Sequence, residues 1–253
     1  MRDGLDAAMP GVAMSRMYGD TGTGTQGDAL ADLTVDRLIR SRRRTVSLVI
    51  DETAELVVRA PMRMPMRDIE RVVREKEAWI RKNRAMMRHR HDNRPLRRYA
   101  DGEAFLWLGR ELRLAVSDRE RRVRREDGVL WMPDVEPELR PALVARWYRE
   151  EARRLLAERV RLWSALMGLI ADRLTITTAN RRWGSCSGRA NLSFTARLVM
   201  APLDVVDYVV VHELAHIEHK NHGDAFWERV ASQMPDYCLH RRWLAEQAHR
   251  MVM

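Results

Sequence analysis

The sequence predicts an α+β fold: small antiparallel or mixed sheets packed on one chemistry-bearing helix, with a β-hairpin and helix before them. Three observations lead there. β-rich runs joined by turn signals recur through the first half and again near residue 190. Long stretches of helical apolar spacing separate them, the longest over 137–167. Within a late helical segment, 202–220, the stretch 205–211 is apolar nearly all round, as a helix threaded through a core would be.

Taken in order, residues 1–29 are rich in Gly, Thr and Asp without apolar periodicity and read as a disordered tail. Runs 45–50 and 54–59, joined by Asp51-Glu52-Thr53, predict a hairpin. The preceding Arg37, Arg40, Arg42, Arg43 and Arg44 read first as a solvated edge and second as an anion-binding patch. Pro61 and Pro65 precede a helix expected from about Met66 to Met87, with Ile69, Val72, Val73, Trp79 and Ile80 apolar; His89 and His91 then fall in a basic loop ending at Pro95. Residues 30–100 thus read as an N-terminal hairpin-and-helix subdomain, and 101–253 as a catalytic domain.

In that second domain, runs 104–108 and 112–116 flank Gly109, and Val123 and 129–132 flank Asp127-Gly128, both hairpin signals. The 137–167 helix carries Leu143, Trp147, Leu155, Leu156, Val160 and Trp163. Strands are expected at 174–177 and 190–194. Beyond the 202–220 helix, Asp224 is placed to cap a helix running through Met234 with Phe226, Trp227 and Val230 facing inward, and a last helix from about Leu239 carries Trp243, Leu244 and Ala248.

With 253 residues, 45% hydrophobic and 32% charged, the chain reads as a globular protein. It has no apolar run of membrane-spanning length and no signal-peptide pattern at its N-terminus, so a cytoplasmic location and no membrane partner are expected. Cys186 and Cys238 make neither a disulfide framework nor a C-x-x-C zinc pair. The net charge is +9, and 42 of the 45 basic residues are arginine. Such a surface attracts anions of any kind, nucleic acid among them, beside a peptide, protein or nucleotide substrate.

Within the apolar helix lies His212-Glu213-Leu214-Ala215-His216, the H-E-x-x-H pattern. Histidines four apart share one helical face and can hold one zinc ion, with Glu213 placed as general base toward water at the metal. Pro202 suits the helix start, Asp204 and Asp207 its positive end, and His219 and Lys220 its negative end. A catalytic site needs a third ligand. His219 would lie ~10 Å along the axis from His212, too far to share an ion. His222 follows Asn221, which suits a left-handed helix-ending turn, so a reversal there brings His222 back to the metal. The six-residue gap from His216 matches H-E-x-x-H-x-x-G-x-x-H, except that His219 stands where that pattern has glycine.

A strand just upstream of such a helix forms the rim of a cleft, and its edge can pair with an extended peptide. Trp183-Gly184 reads either as a wall beside a close backbone approach or as a core tryptophan followed by a turn. With Ser185 and Asn191, these two are the candidate substrate-binding residues. Cys186 reads as a small packed residue, Glu228 as a surface group, and Tyr237 as packing rather than an oxyanion donor.

Arg182-Trp183-Gly184-Ser185-Cys186-Ser187, Asn191-Leu192, the 207–216 block, Asn221-His222-Gly223 and Phe226-Trp227 together resemble the YgjP-like metal-dependent hydrolases, zincins distantly similar to SprT-type and WLM metalloproteases. The resemblance spans roughly 33–250. It implies a zincin-like α+β fold, His212, His216 and His222 as metal ligands, Glu213 as the catalytic residue, and hydrolysis as the activity. Three functions follow as expectations: a zinc metallopeptidase acting on peptides or proteins, a nucleoside-triphosphate (UTP-type) pyrophosphatase on the same metal, or a non-catalytic nucleic-acid-binding protein with structural zinc.

Overall fold

The computed structural model describes residues 34–180 and 182–253. They divide between Arg94 and Pro95 into two compact units, each with its own core. The tail expected over residues 1–29 lies outside the described residues.

The N-terminal unit holds a three-stranded sheet of order β1-β3-β2, with β1 at Arg37–Ser41, β2 at Ser47–Ile50 and β3 at Leu56–Pro61. The expected hairpin is present, with Leu48 opposite Val58 across an antiparallel pair. β1 is new. The arginine-rich stretch read as a solvated edge runs parallel to β3, Arg37 beside Val57 and Ser41 beside Pro61. Arg40 holds it there by donating to the carbonyls of Pro61, Met62 and Met64.

The single helix expected over 66–87 is two, α1 at Met66–Glu75 and α2 at Glu77–Asp92, meeting at Lys76 (φ −106°, ψ 15°). No glycine or proline marks this break. The bend lets Ile69 and Val73 of α1, and Ile80 and Met87 of α2, join Leu48, Ile50, Leu56 and Val58 in one core. α2 also runs further than expected, so His89 and His91 lie in its last turn rather than in a loop. The Asn93 amide closes that turn on the carbonyl of His89.

In the C-terminal unit a four-stranded sheet has order β4-β5-β7-β6: β4 Ala104–Trp107, β5 Arg110–Ser117, β6 Arg124–Glu126 and β7 Val129–Pro133. Its two hairpins turn at Leu108-Gly109 (φ 46° and 76°) and Asp127-Gly128 (φ 47° and 78°). Two consecutive positive φ values give the twist that antiparallel strands require, and glycine carries the second at no steric cost. β5 and β7 pair in parallel, a long-range contact. The Leu108-Gly109 turn docks on the segment before the motif helix through amide bonds to Val199 and Met200.

Helix α3, Arg140–Met167, ends in a left-handed Gly168 (φ 66°). A third sheet follows, β8 Arg173–Thr177, β9 Gly184–Cys186 and β10 Asn191–Thr195, with β10 in the centre, parallel to β8 and antiparallel to β9. The motif helix α4 spans Leu203–Glu218, and residues 205–216 are all buried. That is why its sequence is apolar nearly all round: no side of it meets water. One buried charge on it is paired. Arg159 of α3 meets Asp207 of α4 through two 2.6 Å hydrogen bonds, fixing the helix that carries the histidines.

Helices α5 (Asp224–Gln233) and α6 (Tyr237–Gln247) complete the unit. The N-cap of α5 is Gly223, and Asp224 sits one position later in the first turn, where its charge still faces the positive helix end. The elements are those of the α+β class that the sequence predicts, with small mixed sheets and a buried motif helix. No helix among the described residues is long and apolar enough to cross a membrane.

Candidate metal centre

Four residues apart on α4, His212 and His216 project to the same side, their ring centroids 5.0 Å apart. The chain then reverses, but not through Asn221, which has no positive φ. His219 leaves the helix extended (φ −117°, ψ 104°), and Lys220 closes the end by donating to the carbonyls of His216 and Ile217. This path carries His222 back. Its Nε2 lies 3.0 Å from Nε2 of His212 and 3.1 Å from Nε2 of His216.

Whether these nitrogens suit a cation depends on their protons. Nδ1 of His216 lies 2.9 Å from the carbonyl oxygen of His219. A carbonyl only accepts, so Nδ1 carries the hydrogen and the neutral ring keeps a bare lone pair on Nε2. Burial, with the neighbouring His216, His222 and Arg241, holds His212 well below the ordinary histidine range and therefore neutral. Lone pairs crowded in this way repel unless a positive charge lies among them. A tetrahedral ion ~2.0–2.1 Å from each nitrogen sets them ~3.3–3.4 Å apart, close to the spacing seen. Three imidazoles form a donor set that a divalent transition metal fits.

Phe226 lies under all three rings, with centroids 4.8, 4.5 and 4.7 Å from His212, His216 and His222. Trp227 stacks on His222, and Tyr237 stacks on Trp227. Packing of this kind fixes ring orientation before any ligand arrives. The sequence placed Phe226 and Trp227 inward, but gave no sign that they are the bed of the histidines. Nor did it show that His219 acts through its backbone carbonyl.

Glu213 is fully buried, and neither carboxylate oxygen has a hydrogen-bond partner. Burial pushes its pKa up to about 8, with Arg182 pulling the other way. The carboxylate lies against strand β9: a β-carbon built on Gly184 would stand 2.7 Å from Cγ and Oε1 of Glu213. Gly184 is thus a close backbone approach, within a strand rather than a turn. The rim strand beside α4 is therefore β9, formed by the segment between the two strands that the sequence predicts.

Strand parity defines the free edge of β9. The amide of Thr195 bonds the carbonyl of Trp183, and the amide of Ser187 bonds the carbonyl of Asn191, so Trp183, Ser185 and Ser187 face β10 with their backbone groups. Gly184 and Cys186 turn theirs outward. Trp183 itself is a core residue, fully buried beneath the Arg197 guanidinium. Ser185 pairs with Ser193, and Asn191 donates its amide to Ser187 Oγ, holding the β9–β10 turn. Gly184, one of the four candidate substrate-binding residues, lies against Glu213. Cys186 is a free, half-buried thiol that burial pushes up, with Lys220 and Glu213 in its electrostatic neighbourhood.

A family model, the YgjP-like metallopeptidase domain, matches residues 44–247. The chain belongs to the YgjP-like family. That membership makes it a metallopeptidase-like hydrolase using a divalent metal, and the three-histidine group is present for one. No curated protein and no solved structure matches the chain.

Proposed function

We propose that this YgjP-like protein is a zinc-dependent peptidase in which His212, His216 and His222 hold the ion and Glu213 is the general base. The observation that carries this reading is the buried, unpartnered Glu213 carboxylate, next to the histidine group and against a strand edge whose backbone groups point outward. When bound, zinc supplies Lewis acidity, polarising a carbonyl or phosphoryl oxygen and acidifying water.

The chain does the rest. Gly184 and Cys186 offer their outward amides and carbonyls to an extended peptide, which lies along β9 as an added strand. The absence of a side chain at Gly184 leaves room for the Glu213 carboxylate between that strand and α4. Glu213 takes a proton from the attacking water on a carboxylate oxygen and returns it to the leaving amine. A carboxyl group raised toward neutrality suits both transfers, because it holds and releases a proton at similar cost.

A second reading, hydrolysis of a nucleoside triphosphate to its monophosphate and diphosphate, draws on two cations at the same site. Arg182 acts on Glu213, and Arg241 lies over Trp227 and acts on His212. Neither guanidinium is in an ion pair with any described residue, so both are available to a phosphate. Zinc-loaded wild type and Glu213→Gln, assayed on a peptide library and on a nucleoside-triphosphate panel, separate the two. Wild-type cleavage of peptides alone supports the peptidase, and diphosphate release alone the phosphohydrolase.

A further inference from the structure

The positive charge of this protein is concentrated in one place. Residues 34–94 carry 17 basic and 9 acidic side chains, a net of +8 in 61 residues, whereas residues 95–253 carry a net of +4 in 159. Topology concentrates it again. Stretches 37–50 and 56–67 contain no acidic residue, and they hold eight arginines between them. β1 is parallel to β3 and β2 antiparallel to it, so the end of β1, the start of β2 and the end of β3 lie at one end of the sheet. Arg42, Arg43 and Arg44 of the β1–β2 connection therefore stand beside Arg59, Arg63 and Arg67. Asp36, Asp51, Glu52 and Glu55 fall at the opposite end. The sheet is polarised along its strands.

None of these six arginines pairs with an acid among the described residues, and five are exposed. Arg43 is half-buried, and its Nε is enclosed without a partner. Four other arginines of the unit do pair with acids: Arg37 with Asp51, Arg71 with Asp68, Arg81 with Glu77, Arg84 with Asp36. Arg40 ties the two basic loops together through the carbonyls of Pro61, Met62 and Met64. Six guanidinium groups unpaired with acids and gathered at one end of the sheet disfavour the fold by mutual repulsion, and a polyanion relieves that repulsion.

We propose that this end of the N-terminal unit binds the phosphodiester backbone of nucleic acid without sequence preference. Guanidinium groups match phosphate oxygens in paired hydrogen bonds. Three strands ~4.8 Å apart make a ridge ~10 Å wide. A ridge of that width fits between phosphate backbones across a groove ~12 Å wide and does not spread over a flat bilayer. The six arginines belong to a different unit of the chain from the histidine group, and the proposal does not depend on which bond the hydrolase cleaves.

The test uses the full chain, with fluorescein-labelled 25-base-pair duplex DNA, single-stranded DNA and single-stranded RNA of equal length, and phosphatidylserine vesicles, at 50 to 200 mM KCl. Duplex DNA, single-stranded DNA or RNA should bind, with affinity falling with salt at a log–log slope near −3 to −5, as displacement of ~4–6 counterions requires. The triple variant R42A/R44A/R63A should bind at least ~10-fold more weakly and with a slope shallower by ~2–3. R42K/R44K/R63K keeps the charge and should keep most of the binding. R119A/R121A/R122A removes equal charge from the other unit and should change affinity less than ~2-fold. A melting curve for each variant separates lost binding from lost fold. No binding at 50 mM salt, equal weakening by both alanine triples, or binding to vesicles but to no nucleic acid would overturn the proposal.

Discussion

Gly184 and Glu213 occupy each other's space: where any other residue has a β-carbon, Gly184 leaves room for the glutamate carboxylate, 2.7 Å from that position. The glycine has no left-handed conformation to explain it. Its role is to let a strand backbone approach a buried acid. Gly184→Ala should therefore bind metal as wild type does while losing ~10- to 100-fold in turnover, because the carboxylate must shift while the three imidazoles need not. Crowding a packed site also costs ~1–3 kcal/mol of stability. Full activity in the alanine variant would show that the contact is incidental.

Removal of the metal and of its holders should separate two histidines that look alike in sequence. His222 meets the other two through its ring, whereas His219 contributes a main-chain carbonyl. His222→Ala should lose at least ~100-fold in zinc affinity. His219→Ala, which leaves that carbonyl in place, should lose less than ~10-fold. Calorimetric titration of chelator-stripped protein with zinc reads both. Zinc should also raise Tm, by an amount that grows with free metal.

The Arg159–Asp207 pair holds α4 against α3 and is nearly enclosed. Removing one partner strands the other charge, so Asp207→Ala should cost ~3–5 kcal/mol in urea unfolding, and Arg159→Ala a similar amount. The double variant should cost less than the sum. Strict additivity would mean the two groups do not act as a pair.

A pH dependence follows for the metal-free protein. Glu213 has an ordinary pKa near 4.5 when unfolded and about 8 when buried. Its folded state holds the proton more tightly, so its contribution is complete below 4.5 and is lost as pH rises through 8. At ~1.4 kcal/mol per pKa unit the loss amounts to a few kcal/mol. In chelator, wild type should fall behind Glu213→Gln progressively between pH 5 and 8, with a constant gap above that. Parallel curves would contradict the burial of an unpartnered carboxylate.

Much of this site was legible before the fold. His212, Glu213 and His216 sit on one helix because the spacing is local, and the all-round apolar flank of α4 foretold its burial. The Leu108-Gly109 and Asp127-Gly128 turns were legible for the same reason. β9 was not: three residues, Gly184–Cys186, are too few to show alternation, and their partners come later in the chain. The parallel pairings β1–β3 and β5–β7 are set by long-range packing that no local pattern reports. The break at Lys76 carries no glycine or proline signal, because the bend is imposed by the shared core of α1 and α2. Phe226 read as an inward aromatic, and only its three ring contacts reveal what it supports.

The most direct measurement is turnover by zinc-loaded wild type and Glu213→Gln, side by side, on the peptide library and the nucleoside triphosphates, with bound zinc counted in each sample. The expected result is one zinc per chain in both proteins, with hydrolysis by wild type reduced at least ~100-fold in the variant. Equal turnover by the two proteins, at equal zinc content, would contradict Glu213 as the base.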